Sequence, residues 1–168
     1  MQLETERLLL RQFKQEDFEE YAAMVADPET MLYVGQGKPM TRSEAWRSMA
    51  AILGHWQLRG YGLYAVIEKS SQRLAGRIGL LFPEGWPGIE LGWMLAPEFR
   101  GKGFALEAAQ AVQHHAFHVL QIPELISVIH PENRRSIKLA MKLGETLYDY
   151  LWLFNIQCAI YKVRYFQG

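Results

Sequence analysis

Ile89-Glu90-Leu91-Gly92-Trp93-Met94-Leu95-Ala96-Pro97-Glu98-Phe99-Arg100-Gly101-Lys102-Gly103-Phe104-Ala105 is the stretch whose pattern decides the fold. Ile89, Leu91, Trp93 and Leu95 point one way and Glu90, Gly92 and Met94 the other, the period of a half-buried strand. After Pro97 comes a glycine bend, and then a helix with Ala105, Ala109, Val112, Ala116 and Val119 along one face, running on until Pro123 stops it. Small alanines let such a helix lie close to a sheet. A helix start leaves N–H groups unpaired and carries partial positive charge, which suits an anion. Gly101 and Gly103 allow a tight turn and close backbone approach, and Arg100 and Lys102 add positive charge. The residues alone admit two readings, a plain strand-to-helix turn and a phosphate cradle. A Walker A loop is excluded because Phe104-Ala105 follows Gly103, and the dinucleotide fingerprint fails at Leu106.

Upstream of this stretch, Leu3 to Phe13 reads as a first strand, and Phe18, Tyr21, Ala22 and Val25 form one helical face. Asp27 to Pro39 reads as loop. Thr41 and Glu44 have capping-box spacing ahead of a stripe of Ala45, Met49, Ile52 and Trp56, a helix that Gly60 to Gly62 end, with Trp46 also taken as core. Gly62 to Glu68 and Leu74 to Leu81 read as a hairpin. Downstream, Leu125 to His130 reads as a strand, Asn133 caps a helix through Leu143 that Gly144 ends, and Leu147 to Phe154 and Ile156 to Phe166 form two aromatic strands. Strands and helices alternate and then give way to a terminal hairpin. The expectation is an α/β fold, a mixed sheet with helices packed on it.

The 168 residues fit one domain, 1–168. With 49% apolar and 21% charged residues, and 18 Lys+Arg against 18 Asp+Glu, the chain is neither disordered nor a typical nucleic-acid binder. A lone Cys158 excludes an intrachain disulfide and a cysteine-cluster zinc site. No apolar run approaches a membrane span, and the start MQLETERLLL does not read as a signal peptide, so a cytoplasmic location is expected.

Arg100-x-x-Gly103-x-Ala105 at a strand–helix junction resembles the acyl-coenzyme A signature Q/R-x-x-G-x-G/A of the Gcn5-related N-acetyltransferases (GNAT). Glu84-Gly85-Trp86-Pro87-Gly88-Ile89-Glu90-Leu91-Gly92-Trp93, Glu107-Ala108-Ala109, Asn133-x-x-Ser136, Lys142-Leu143-Gly144 and the start Glu6-Arg7-Leu8-x-Leu10-Arg11 resemble its RimJ/RimL branch, across essentially the whole chain. The resemblance implies a mixed, mostly antiparallel central sheet flanked by helices, of acyl-CoA N-acyltransferase type. It implies direct transfer of acetyl from acetyl-CoA to a primary amine, either a protein N-terminal α-amine or a small molecule. Amides of Arg100, Gly101, Lys102, Gly103, Phe104 and Ala105 would hold the pyrophosphate. Backbone groups near Met94 and Leu95 would hold the pantetheine arm and the oxyanion, with Asn133 nearby.

An alkyl amine is protonated at neutral pH, so a base is needed. Glu90 is the candidate, on the face that Gly92 leaves open; as a bare residue it could equally be an ion-pair partner. Many relatives carry a Tyr as the thiol's proton donor where this sequence has Ala140; in the RimJ/RimL branch a Ser takes that role, and the resemblance implies Ser136, which matches its position in Asn133-x-x-Ser136. Asn133 reads equally as a simple helix cap. Tyr33 and Trp86, in loops beside the expected cleft, line an acceptor pocket or plug the sheet. Glu145 departs from the Phe usual after Gly144, a matter of local packing. His114 and His118 belong with Glu107 to a solvated helix face rather than a metal site, and no metal is expected. A non-catalytic module binding CoA or another phosphate ligand is the rival reading, and a homodimer is admissible.

Overall fold

The computed structural model describes residues 1–165, so the end of the last expected strand, at Phe166, lies outside the described residues. The N-terminal strand is broken in two, β1 (Leu3–Glu4) and β2 (Leu8–Arg11), which pair antiparallel. Thr5 makes the break: its amide donates to the Leu8 carbonyl at 3.0 Å, and its hydroxyl accepts the Leu8 amide at 3.0 Å. Helix α1 (Phe18–Ala26) follows as expected. The expected loop hides one helical turn, α2 (Pro28–Met31), capped by Asp27, whose carboxylate accepts the Thr30 amide at 2.7 Å.

The capping box of Thr41 and Glu44 starts α3 (Arg42–Arg59), and Gly60, with φ of 77°, ends it. Trp56 is buried with the stripe, whereas Trp46, one residue off it, is exposed. Then come β3 (Leu63–Glu68), β4 (Leu74–Leu81), β5 (Glu90–Leu95), α4 (Phe104–His118), β6 (Glu124–Ile129), α5 (Arg134–Lys142), β7 (Thr146–Leu153) and β8 (Ile156–Arg164). Helix α4 ends earlier than its apolar pattern suggests. The amides of Val119 and Leu120 both turn to the His115 carbonyl, which closes the helix and leaves Val119 exposed.

The eight strands form one sheet in the order β1-β2-β3-β4-β5-β6-β8-β7, antiparallel except for β5 and β6. Leu91, Ala108, Ala109 and Val112 are fully buried where α4 meets the sheet, and α1 and α3 pack together. Strand β7 lies at the edge with Leu147, Tyr148, Tyr150 and Trp152 exposed. No helix among the described residues is long and apolar enough to cross a membrane.

Two glycines in β4 let three strands close up behind the site. A Cβ on Gly76 would sit 2.1 Å from the Met94 carbonyl oxygen, and one on Gly79 would sit 2.3 Å from that of Gly62. Both obstacles are backbone and cannot swing away. Gly76→Ala is therefore expected to destabilise the fold by about 3 kcal/mol. Gly60→Ala, strained by its φ of 77° but with open space around it, should cost only about 1 kcal/mol. Thermal unfolding of the two variants checks the order.

Candidate active site

Strands β5 and β6 are paired at one position only, Glu90 with Ile126, where the Ile126 amide donates to the Ile89 carbonyl at 2.9 Å. In a continued parallel ladder the next bond would join the Val128 amide to the Leu91 carbonyl. Side chains take both groups instead. The Glu90 carboxylate accepts the Val128 amide at 3.3 Å, and the Ser127 hydroxyl lies 2.9 Å from the Leu91 carbonyl. Beyond this point the strands part.

The β4–β5 register decides which peptide groups the parting exposes. Ala96 donates to Ala75 at 2.9 Å, so by alternation the even residues of β5 bond to β4 and the odd ones face β6. The Trp93 and Leu95 peptides are thus turned into the gap. Of the two backbone sites expected, Leu95 lies on the open side and Met94 does not; Met94 contributes its side chain to the wall. The Leu95 carbonyl accepts a bond from Arg100 Nε at 3.3 Å.

At the end of the gap, Gly101 and Gly103 both have positive φ, 74° and 82°, and Gly103 caps α4. The amides of Gly101, Lys102, Gly103, Phe104, Ala105 and Leu106 make no hydrogen bond among the described residues. Arg7 donates to the Lys102 carbonyl at 2.9 Å, which in a trans peptide aims the Gly103 N–H the opposite way. Arg7 is itself held by Glu107 at 2.6 Å, and Thr5 donates to the same carboxylate at 2.6 Å. Glu107 is therefore the anchor of the bend and not part of a solvated face.

Arg100 and Lys102 do not bring free charge to the bend. The Arg100 amide is bonded to Pro97, and its guanidinium is taken by Glu29 at 3.0 Å and Thr30 at 2.7 Å. The Lys102 ammonium lies 3.9 Å from a Glu68 carboxylate oxygen and over the Phe99 ring. Positive charge comes from α5 instead. Arg134, Lys138 and Lys142 line a cavity of about 960 Å³ together with Gly101, Gly103 and Ala105, as does Arg135, which lies 3.5 Å from Glu29. Their spacing by a helical turn was the available signal, but it also fits charge at a helix C-terminus.

A second cavity of about 440 Å³ opens on the Glu90 side of the sheet and shares Tyr33, Trp93, Met94, Asn133 and Ser136 with the first. Leu63, Gly79 and Gly92 are in register across its floor, and a Cβ on Gly92 would meet only the Leu63 side chain, at 3.8 Å. Trp86 closes one wall and donates Nε1–H to Glu90 Oε2 at 2.7 Å. Burial pushes the Glu90 carboxyl up to about 7, against the bonds from Trp86 and Val128 and the Arg77 charge.

On the other side of the gap, Asn133 caps α5, its side-chain oxygen accepting the Ser136 amide at 3.2 Å. Trp93 Nε1–H donates to Ser136 Oγ at 3.0 Å, which leaves the hydroxyl hydrogen of Ser136 free to donate elsewhere. Tyr33 packs on His130 with ring centres 4.8 Å apart. Cys158 is buried beside Glu90, and both burial and that neighbouring carboxylate push its thiol up, away from thiolate reactivity. No group of three His, Cys, Asp or Glu side chains among the described residues is placed to hold a metal ion.

Glu145 is 2% exposed, and its Oε2 has no hydrogen-bond partner among the described residues. Ser127 Oγ lies 3.0 Å from Glu145 Oε1 and 2.9 Å from the Leu91 carbonyl, but one hydroxyl carries one hydrogen. Only a protonated Glu145 satisfies both contacts, with the acid donating to Ser127 and Ser127 to Leu91. Burial, opposed by the Ser127 bond and reinforced by the Glu90 charge, pushes Glu145 up to about 8.

Residues 7–146 match the acetyltransferase (GNAT) domain family. An N-acetyltransferase of Bacillus licheniformis, p20, is 32% identical over 144 residues, 84% of this chain and 80% of its own length. The crystal structure of an acetyltransferase from Agrobacterium tumefaciens is 31% identical with a TM-score of 0.87, covering 98% of this chain and 95% of that one. RimL, a ribosomal L7/L12 α-N-protein acetyltransferase solved with coenzyme A, shares the fold at a TM-score of 0.82 and 17% identity, covering 98% of each chain.

A carboxyl raised in the folded state makes the native chain hold its proton longer than the unfolded chain does. The stability it contributes is whole below the ordinary value of 4.5 and is lost as pH rises through about 8. Glu145→Gln keeps a neutral donor to Ser127 and does not titrate. The variant should gain on the wild type by about 1 kcal/mol or more, roughly 3 °C in Tm, between about pH 5 and about pH 9. Thermal unfolding at the two pH values measures it.

Proposed function

The chain belongs to the GNAT acetyltransferase family, and from that premise we propose that residues 1–168 work as a single N-acetyltransferase domain, acetylating a primary amine by direct attack on acetyl-CoA. The observation that carries the proposal is the row of unbonded amides from Gly101 to Leu106, facing a basic cavity that joins the Glu90 cavity at the parting of β5 and β6. The acceptor is either a protein N-terminal α-amine, as the likeness to the RimJ/RimL branch suggests, or a small-molecule amine.

In this reading the bend amides and the cations of α5 bind the phosphates of the co-substrate. The peptides of Trp93 and Leu95 hold the pantetheine arm as an added strand would, and an N–H there receives the oxyanion. Glu90 accepts the amine's proton. The C–N bond forms to give the tetrahedral oxyanion, which collapses with loss of the C–S bond; the departing sulfur takes the Ser136 hydroxyl proton, solvent water reprotonates Ser136, and Glu90 releases the amine's proton to solvent afterwards. Trp93 and Trp86 are positioning residues, one orienting the Ser136 hydroxyl and the other fixing Glu90. The exposed aromatic row of β7 supports self-association as a homodimer. Sedimentation that reports a dimer in the wild type and a monomer in Trp152→Glu would bear this out.

Two variants should fail in opposite ways. Glu90→Gln is expected to lower kcat about 100-fold and to remove a rise in rate centred near pH 7, with acetyl-CoA affinity unchanged. Gly103→Glu places bulk and negative charge in the cradle and should abolish acetyl-CoA affinity. Calorimetry and release of free thiol measure both. Affinity without thiol release, for any amine, would favour the rival reading of a non-catalytic CoA-binding module.

A further inference from the structure

The Glu90 cavity is lined by one permanently charged cation, Arg77, and among the described residues no carboxylate lies within ion-pair distance of it. Its strand neighbours explain where it lies. Arg77 is opposite Met94 in the β4–β5 ladder, so it shares a face with Gly79, Leu81, Glu90 and Gly92, and its charge reaches the Glu90 carboxyl. Among the described residues its one side-chain hydrogen bond is a long one, 3.4 Å to the Tyr21 hydroxyl, and that hydroxyl is itself 2.7 Å from Ser48 Oγ. Among the described residues, Arg7, Arg11, Arg42, Arg59, Arg73, Arg100, Arg135 and Arg164 are all within ion-pair distance of an acid. Arg47 and Arg134 are not, but both are exposed to water. Among the described residues, Arg77 is the one arginine that is half-buried with no acid within ion-pair distance.

The other groups around the cavity do not compensate it. Glu90 is the only acid in the lining, and it is engaged by Trp86 and Val128. His55 accepts the Phe82 amide at Nε2, at 2.9 Å, so its proton sits on Nδ1 and is given to the Tyr61 carbonyl. His130 accepts the Glu132 amide at Nδ1. Each imidazole thus has one ring nitrogen occupied by a backbone amide, and neither supplies a carboxylate to Arg77. A guanidinium partly withdrawn from water with no counter-charge is unfavourable until an anion arrives, and its planar fork matches a carboxylate.

We infer that the acceptor is a small amine that itself carries a carboxylate, with the carboxylate on Arg77 and the amine directed to Glu90. The inference rests on the proposed function and narrows it. A polyamine would set its second cation against Arg77. A protein N-terminus carries its first carboxyl as an amide, which gives Arg77 no charge to pair. The cavity of about 440 Å³ is the size of a small-molecule site.

The test compares an amino acid with its own amide, a pair that differs only in the carboxylate. Thiol release from acetyl-CoA is measured for both compounds and for spermidine, and the same compounds are titrated calorimetrically into the protein–CoA complex. The expected result is a kcat/KM at least about tenfold higher for the amino acid than for the amide. That preference should be lost in Arg77→Met and partly kept in Arg77→Lys, with KM for acetyl-CoA unchanged in both. Equal rates for the pair, a preference for spermidine, or an unaltered preference in Arg77→Met would overturn the inference and leave the acetyltransferase reading intact. Calorimetric binding of the amino acid but not the amide, with no turnover of any amine, would support the anion site and overturn the proposed chemistry. Neither binding nor turnover would overturn both. The wild-type comparison stands even if a variant fails to fold.

Discussion

The structure depends on a ladder that stops after one step. Strands β5 and β6 are parallel neighbours joined at Glu90 and Ile126, and the next bond they could make is intercepted on both sides by side chains. The Glu90 carboxylate takes the β6 amide, and the Ser127 hydroxyl takes the β5 carbonyl. Once the strands part, the peptides of Trp93 and Leu95 have no strand partner, and unpaired peptide groups in a protected gap are binding groups waiting for a ligand. The residue that wedges the strands apart is the same one proposed to accept the amine's proton. Its position at the fork and its enclosure, which raises it to about 7, have one cause.

Around that fork, polar groups are placed by being consumed elsewhere. Arg7 takes the Lys102 carbonyl, which turns the following amide toward the cavity, and Glu107 takes Arg7. Trp93 takes a lone pair of Ser136 and leaves its hydrogen free. Arg100 is spent on holding α2 against the end of β5, and Lys102 is drawn away to Glu68. Among the described residues, the bend amides and the side chains of Arg134, Lys138 and Lys142 have no partner, and Arg77 has no carboxylate within ion-pair distance. They form two separate electropositive places, one in each cavity. The proposed two-substrate transfer would use such a division, with the donor in one cavity and the acceptor in the other.

Glu145 gives the fork a second buried acid. Protonated, it completes a chain from carboxylic acid to hydroxyl to the Leu91 carbonyl, so the last contact between β5 and β6 depends on its proton. The nearby Glu90 carboxylate adds to the burial that keeps the Glu145 proton in place. A residue that appears from the sequence to be a packing exception is thus part of the device that sets where the sheet opens.

Local pattern was enough to read most elements: the alternation of Ile89 to Leu95, the capping box of Thr41 and Glu44, the Asn133 cap and the tight glycine turn at Gly101 and Gly103 all act within a few residues, and all appear as read. Glu90, Ser136, Asn133, Tyr33 and Trp86 come together in one cavity, as the strand, helix and loops that carry them suggest. The break at Thr5, the early end of α4, the exposure of Trp46 and the occupation of Arg100 and Lys102 were not legible, because each depends on a partner far along the chain or on which face a neighbour covers. The same holds for the Gly76 contact with Met94, the burial of Glu145 and the isolation of Arg77. Backbone preference and amphipathic period are written residue by residue, and they determined the elements and the bend. Whether a charge is free or paired, and whether an acid keeps its proton, depends on what surrounds it in three dimensions, so only the tertiary structure decided which of these residues remain available for chemistry.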